Sequence, residues 1–293
     1  MSMEGLANKV WHYFKSVNMD TYGITCPSIP VPYLGDYEAY EKSPIKIITA
    51  ELNPSNNEFP SNYIFSRFYE SETLYDKEEL TPEETSIYLN SLNMYFNYNS
   101  HEWFEHYEPI LNAMNTSFFT GHQNSALNTY LLSPLATAEK WVKHEKTAHL
   151  YDVQNFTRKG TEIWLKLVDI LQPDIILSSL RTYSRRRVFI EQKLEWALYE
   201  TFNKTSKGKE RRRPYEMHCT VASLPSGNKC LLAFGTSNVL PFMLSDEQKN
   251  ILGRKIYKLF TGKEPIQYEI TSKEDKSDPG DNENIETSII PVS

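Results

Sequence analysis

Cysteine is scarce in this chain: there are three in 293 residues, Cys26, Cys219 and Cys230. Their odd number argues against a disulfide framework, and their spacing is not that of a metal site. Reduced thiols and a cytoplasmic location are expected, with no metal and no cofactor. Long apolar runs are also missing; none approaches the roughly 18 residues that a membrane span requires. The start, Met1-Ser2-Met3-Glu4-Gly5-Leu6, lacks a basic segment followed by an apolar one, so no signal peptide is expected. No internal repeat is present. Positive charge is in deficit overall, with a net charge of −7. Of that, −4 belongs to residues 271–293, which carry six acids and two lysines and no aromatic residue. That stretch is read as a disordered acidic tail.

The remaining 270 residues carry −3, and within them lie two basic clusters. One is Arg181 with Arg185, Arg186 and Arg187. The other is Lys204, Lys207, Lys209, Arg211, Arg212 and Arg213. Local basic patches on a near-neutral body fit a polyanion-binding face, although such runs also occur as solvated loops.

Hydrophobic residues at 40% and charged residues at 24% describe an ordinary globular chain with a sizeable core. Leu6, Val10, Trp11 and Phe14 fall on one side of a helix over Met3–Val17. Cys26–Tyr33 is proline-rich and extended. Ile45–Ala50 reads as a strand, and Thr81-Pro82-Glu83-Glu84 as a capped helix start. A helix is predicted over His101–Met114, a strand over Leu127–Leu132 and a helix over Phe156–Leu171. Asp174–Leu180 is a near-continuous apolar strand, as expected of one covered on both faces. Further strands are read at Met217–Leu224 and Cys230–Phe234. A last helix starts at Ser245 and runs to about Phe260. Strands alternating with helices predict an α/β fold with a mostly parallel central sheet flanked by helices. The expected organisation is an N-terminal helix and extended segment over 1–44, an α/β domain over 45–270, and the tail over 271–293.

Three strands end in polar loops: Asn53-Pro54-Ser55, Ser133-Pro134 and Gly235-Thr236-Ser237-Asn238. If the strands are parallel, all three loops face one crevice at their carboxyl ends. The first loop, Glu51-Leu52-Asn53-Pro54-Ser55, resembles the opening motif of the uracil-DNA glycosylase superfamily. Phe65, 12 residues after Asn53, stands where that family stacks the flipped base. Gln172-Pro173-Asp174-Ile175-Ile176-Leu177 is similar to the family's middle strand, and Leu231–Phe242 to its late motif. The chain departs from the family in two places. Glu51 replaces a glycine, and no histidine occupies the late loop.

The resemblance implies a DNA glycosylase that hydrolyses the N-glycosidic bond of a flipped, modified pyrimidine and leaves an abasic site, as in base excision. Such a reaction develops a cation-like sugar and an anionic leaving base. Asn53 would orient the attacking water. Glu51 is either a second acid near the sugar or a solvated strand-end residue. Ser55 stands where the uracil branch has a tyrosine that blocks the ring 5-position, so 5-substituted pyrimidines would be admitted. Ser133 would face the base edge or simply serve its turn. Thr236, Ser237 and Asn238 would hold the phosphate or the leaving base, or form an ordinary polar loop. Leu240 would wedge into the vacated stack or pack in the core. Arg185, Arg186, Arg187, Arg211, Arg212 and Arg213 would contact the backbone of double-stranded DNA. A monomer is expected. The family has an antiphage branch that removes glucosylated hydroxymethylcytosine from viral DNA, and antiviral defence is one setting the likeness implies. Two other classes stay open: a catalytically inactive DNA-binding protein on the same fold, and an α/β hydrolase of nucleotides.

Overall fold

The computed structural model describes residues 1–98, 102–138, 150–178, 192, 194–205, 207–235, 244–265, 268–269 and 290–291. The central sheet has eight strands: β1 (Tyr33–Leu34), β2 (Ile47–Glu51), β3 (Thr116–Ser117), β4 (Asn124–Tyr130), β5 (Ile175–Ser178), β6 (Ala197–Lys204), β7 (Glu210–Ser223) and β8 (Lys229–Gly235). Their spatial order is β1-β4-β2-β5-β8-β7-β6, with β3 beside β4. The helices that matter for the site are α1 (Met3–Ser16), α4 (Pro82–Asn93), α6 (Glu102–Glu105), α7 (Glu108–Asn112), α8 (Leu150–Leu171) and α9 (Asp246–Thr261). The short helices α2 (Met19–Tyr22), α3 (Tyr37–Lys42) and α5 (Tyr95–Tyr98) complete the series.

The α/β class stands, but the sheet is mixed and not mostly parallel. β4, β2, β5 and β8 run parallel to one another, whereas β1 is antiparallel to β4 and β7 to both β8 and β6. The strand β6 was missed because its residues do not alternate cleanly. It is the sheet edge, its register shifts twice against β7, and Leu198 on it is 56% exposed. With Phe202 its single buried residue, the strand has no clean period-two signature to read. The single helix expected over His101–Met114 is instead α6 followed by α7. Pro109 sits in the first turn of α7, where its missing N–H costs nothing; inside one continuous helix it would remove a hydrogen bond and clash with the preceding turn.

Local chemistry builds the rest as the residues dictate. The Thr81 side chain and Glu84 close a reciprocal cap on α4, and Ser245 with Gln248 does the same on α9. Leu6, Val10, Trp11 and Phe14 of α1 are all buried, and Trp11 Nε1 donates to the Lys77 carbonyl at 3.1 Å. α1 therefore packs into the same core as the sheet. Cys219 and Cys230 are buried and Cys26 is exposed; all three are free thiols. Residues 271–289 of the acidic tail lie outside the described residues. No described helix is long and apolar enough to cross a membrane.

Candidate active site at the carboxyl end of β2

Among the four parallel strands on the main path of the sheet, β2 comes first in the chain, β4 second, β5 third and β8 fourth, so their spatial order is second-first-third-fourth. The winding reverses at β2. In open sheets of this kind the crevice forms at the carboxyl ends of the strands beside that reversal. Glu51 is the last residue of β2.

The loops after β2 and β4 are tied together there. Leu131 N donates to the Glu51 carbonyl at 2.7 Å, and Leu132 N to the Leu52 carbonyl at 2.9 Å. The Asn53 Nδ2 donates to Thr137 Oγ1 at 3.1 Å and to the Pro54 carbonyl at 3.0 Å. Helix α8 is pressed against this join at Gly160, where any Cβ would collide with the Leu132 carbonyl oxygen. Beneath it runs a chain of buried polar contacts. Trp164 Nε1 donates to Thr129 Oγ1 at 3.0 Å, Thr129 Oγ1 to the Thr49 carbonyl at 2.7 Å, and Thr49 Oγ1 to Asn128 Oδ1 at 2.7 Å. These internal bonds tie the strand ends together, with Asn128 Nδ2 left buried and unpartnered among the described residues.

Glu51 is not a solvated strand-end residue. Trp103 Nε1 and Tyr107 Oη both donate to its Oε1, at 2.6 and 3.1 Å. Burial pushes its carboxyl up to about 7 against those two hydrogen bonds, and the nearby Glu58 carboxylate adds to the rise. Glu58 closes the 3-10 turn Asn56–Glu58 and is itself buried. Tyr95 Oη donates to its Oε2 at 2.5 Å, and Arg67 Nη1 lies 3.7 Å from the same oxygen. Burial raises the Glu58 carboxyl as well, opposed by Tyr95 and Arg67. Tyr130, opposite Glu51 in register, has its hydroxyl held far from ionisation by burial, with Glu58, Tyr95 and Glu51 contributing. The site thus holds two neighbouring acids under one aromatic cover.

Of the residues expected from sequence, Glu51, Asn53 and Ser55 come together at this strand end. Ser55 is exposed and its Oγ accepts from Asn57 N at 3.1 Å. Phe65 is elsewhere in role: it is 7% exposed and packs at ring distances of 6.3 Å from Phe59 and 6.0 Å from Tyr75. A base could stack on it only if one of those rings moved aside. Ser133 does not face the crevice; it is fully buried and its Oγ accepts from Leu135 N at 2.9 Å, so it serves the turn. Thr236, Ser237, Asn238 and Leu240, with Arg185, Arg186 and Arg187, lie outside the described residues.

Arg211, Arg212 and Arg213 begin β7. Arg211 Nε donates to the Lys204 carbonyl at 2.9 Å across the hairpin, and Arg212 and Arg213 are exposed. β7 pairs with the last residue of β8 at Met217, so residues 210–216 run on past the carboxyl edge of the sheet. At about 3.4 Å per residue that overhang is on the order of 20 Å. The basic tip therefore projects from the same edge that carries Glu51.

Sequence reading missed Glu58, Tyr95, Trp103 and Tyr107. Trp103 and Tyr107 are four residues apart, a helical spacing that hinted at a shared face. Nothing in the local sequence marks Glu58 as buried. Among the described residues no group of three His, Cys, Asp or Glu side chains could hold a metal ion. No protein-family model matches the chain, and no curated protein matches it.

Proposed function

We propose that the protein is a DNA glycosylase that hydrolyses the N-glycosidic bond of a modified pyrimidine extruded from duplex DNA. One observation carries the reading: an acid raised to about 7 and an amide whose nitrogen is anchored by the next loop, Glu51 and Asn53, lie two residues apart at the carboxyl end of the first parallel strand. Asn53, its nitrogen anchored by Thr137, would orient the attacking water through its remaining oxygen. Ionised Glu51 would offset the positive charge that grows on the sugar. A perturbed acid at the carboxyl end of a central parallel strand is the kind of group such chemistry uses. The exposed arginines at the hairpin tip would hold the phosphate backbone beside the same edge.

A binding-only protein on this fold is the second reading. It draws on the packing of Phe65 and on the structural use of the Asn53 nitrogen. Incubation with a panel of modified duplexes, followed by alkaline strand cleavage, separates the two. A glycosylase gives alkali-labile sites; a binding protein or a nucleotide hydrolase gives none.

A further inference from the structure

Glu51 and Glu58 differ in what surrounds them. The two donors to Glu51, Trp103 Nε1 and Tyr107 Oη, are neutral, and no described cation pairs with it. Tyr130, opposite it in register, is a neutral phenol as well. Glu58 has a neutral donor and a cation. Tyr95 Oη donates to its Oε2 at 2.5 Å, Arg67 Nη1 lies 3.7 Å from the same oxygen, and Arg67 Nη1 also donates to Tyr95 Oη at 3.1 Å. Phenol and guanidinium thus close around one carboxyl oxygen. Arg67 reaches it from an open cleft just beyond Ser55 that Asn56, Asn57 and Phe59 also line. The Arg67 side chain is 22% exposed there, so the cation stays partly hydrated while the carboxyl it faces is only 3% exposed.

Burial raises both carboxyls, and Glu58 raises Glu51 further. Two such neighbours give up their protons one after the other, and the acid in the better anion site goes first. The short bond from Tyr95 and the charge of Arg67 make Glu58 that site. We propose that Glu58 is a positioning residue for Glu51: held ionised by Tyr95 and Arg67, its charge keeps the proton on Glu51 and sets the pH above which Glu51 serves the reaction. The order in which the two acids ionise stands on the geometry; its use in base release rests on the glycosylase reading.

Two measurements separate those parts. Infrared spectroscopy of the full chain reads the proton without any substrate, through the band of protonated carboxyl groups at about pH 6, where solvated carboxylates are ionised. Glu51→Gln should lose intensity in that band. Glu58→Gln should keep it, with a titration midpoint about one pH unit lower once the neighbouring charge is gone. Arg67→Gln should gain intensity, because Glu58 then takes a proton too, and Arg67→Lys, which keeps the cation, should match wild type. Glu108, also raised by burial, is common to all the variants and cancels. A role in packing alone would move none of these. A band lost in Glu58→Gln and kept in Glu51→Gln, or a midpoint unmoved in Glu58→Gln, overturns the proposal. If Glu58→Gln does not fold, equal intensity in Arg67→Gln and Arg67→Lys overturns it. The second measurement is the pH dependence of single-turnover base release. Its limb near about pH 7 should move down with the infrared midpoint in Glu58→Gln. An infrared shift without a kinetic one overturns the role of Glu58 in the reaction. No base release from any duplex sinks the glycosylase reading and keeps the proton order.

Discussion

At the end of β2, charge is enclosed: Glu51 is covered by Trp103 and Tyr107, and Glu58 lies buried against Tyr95 seven residues further on. On the β6–β7 hairpin, charge is displayed, with Arg212 and Arg213 exposed at a tip that overhangs the sheet edge. Burying an acid raises its protonation range and destabilises the ionised fold, whereas an exposed arginine does neither. Two neighbouring acids whose carboxyls are both raised by burial do not stabilise the ionised fold, which fits a functional use. The exposed hairpin arginines likewise stabilise little where they stand, which fits the proposed contact with phosphates. On the proposed reading, the first region serves chemistry and the second attraction over distance.

The comparison breaks most visibly at Phe65. A stacking platform and a core ring differ in what their removal does. Phe65→Ala should lower stability by about 3–5 kcal/mol, the usual cost of emptying a packed aromatic site. Urea titration checks it. A drop below about 1 kcal/mol would mean that Phe65 is free to leave its neighbours and meet a base.

Glu51 sharpens the contrast from the other side. Its carboxyl is raised from 4.5 to about 7, so the fold holds a proton that the unfolded chain gives up. Stability must then fall as pH rises from about 4.5 through about 7, by about 3 kcal/mol in all. Glu51→Gln keeps an acceptor oxygen for Trp103 and Tyr107 and removes the titration. It should match wild type at about pH 4 and exceed it by about 2–3 kcal/mol at about pH 8, as thermal unfolding across pH would report. Base release by wild type should climb with pH through about 7, and the variant should lack that limb. A wild-type melting temperature independent of this pH window would place Glu51 in water.

The hairpin gives the smallest effect on the fold. Replacing Arg211, Arg212 and Arg213 by alanine should leave stability within about 1 kcal/mol, since Arg212 and Arg213 are exposed and the Arg211 bond to the Lys204 carbonyl lies at the exposed hairpin end. DNA affinity should drop, and its salt dependence should flatten by about 0.9 in log-log slope for each phosphate no longer neutralised. Fluorescence anisotropy between low and physiological salt tests this; an unchanged affinity and slope would make the tip a solvated turn.

Much of this was legible in the sequence for particular reasons. The capped helices at Thr81 and Ser245 and the apolar strand at Asp174–Leu180 carry their own local signals, and each element appears within a few residues. Two of the three polar loops meet as expected, because β2 and β4 are parallel and adjacent; residues 236–238 of the third lie outside the described residues. The outermost strands were not legible: β6 buries a single residue, Phe202, and β1 is only two residues long. The site was half legible. Asn53 is marked by its turn, but the burial of Glu58 depends on Tyr95 and Arg67, 37 and 9 residues away. A one-dimensional spacing cannot tell a ring that awaits a base from one that already has neighbours, and Phe65 shows it.

The most direct test of the central claim is single-turnover abasic-site formation by wild type and Asn53→Ala on a duplex carrying a 5-substituted pyrimidine. Asn53→Ala also removes the bonds to Thr137 and the Pro54 carbonyl, about 1 kcal/mol of stability each, so folding is checked alongside. The account predicts alkali-labile sites with wild type and a rate lower by about a hundredfold or more in the folded variant, with DNA binding changed only a few-fold. Equal rates in the two proteins, or no abasic sites from wild type on any modified duplex, would contradict it.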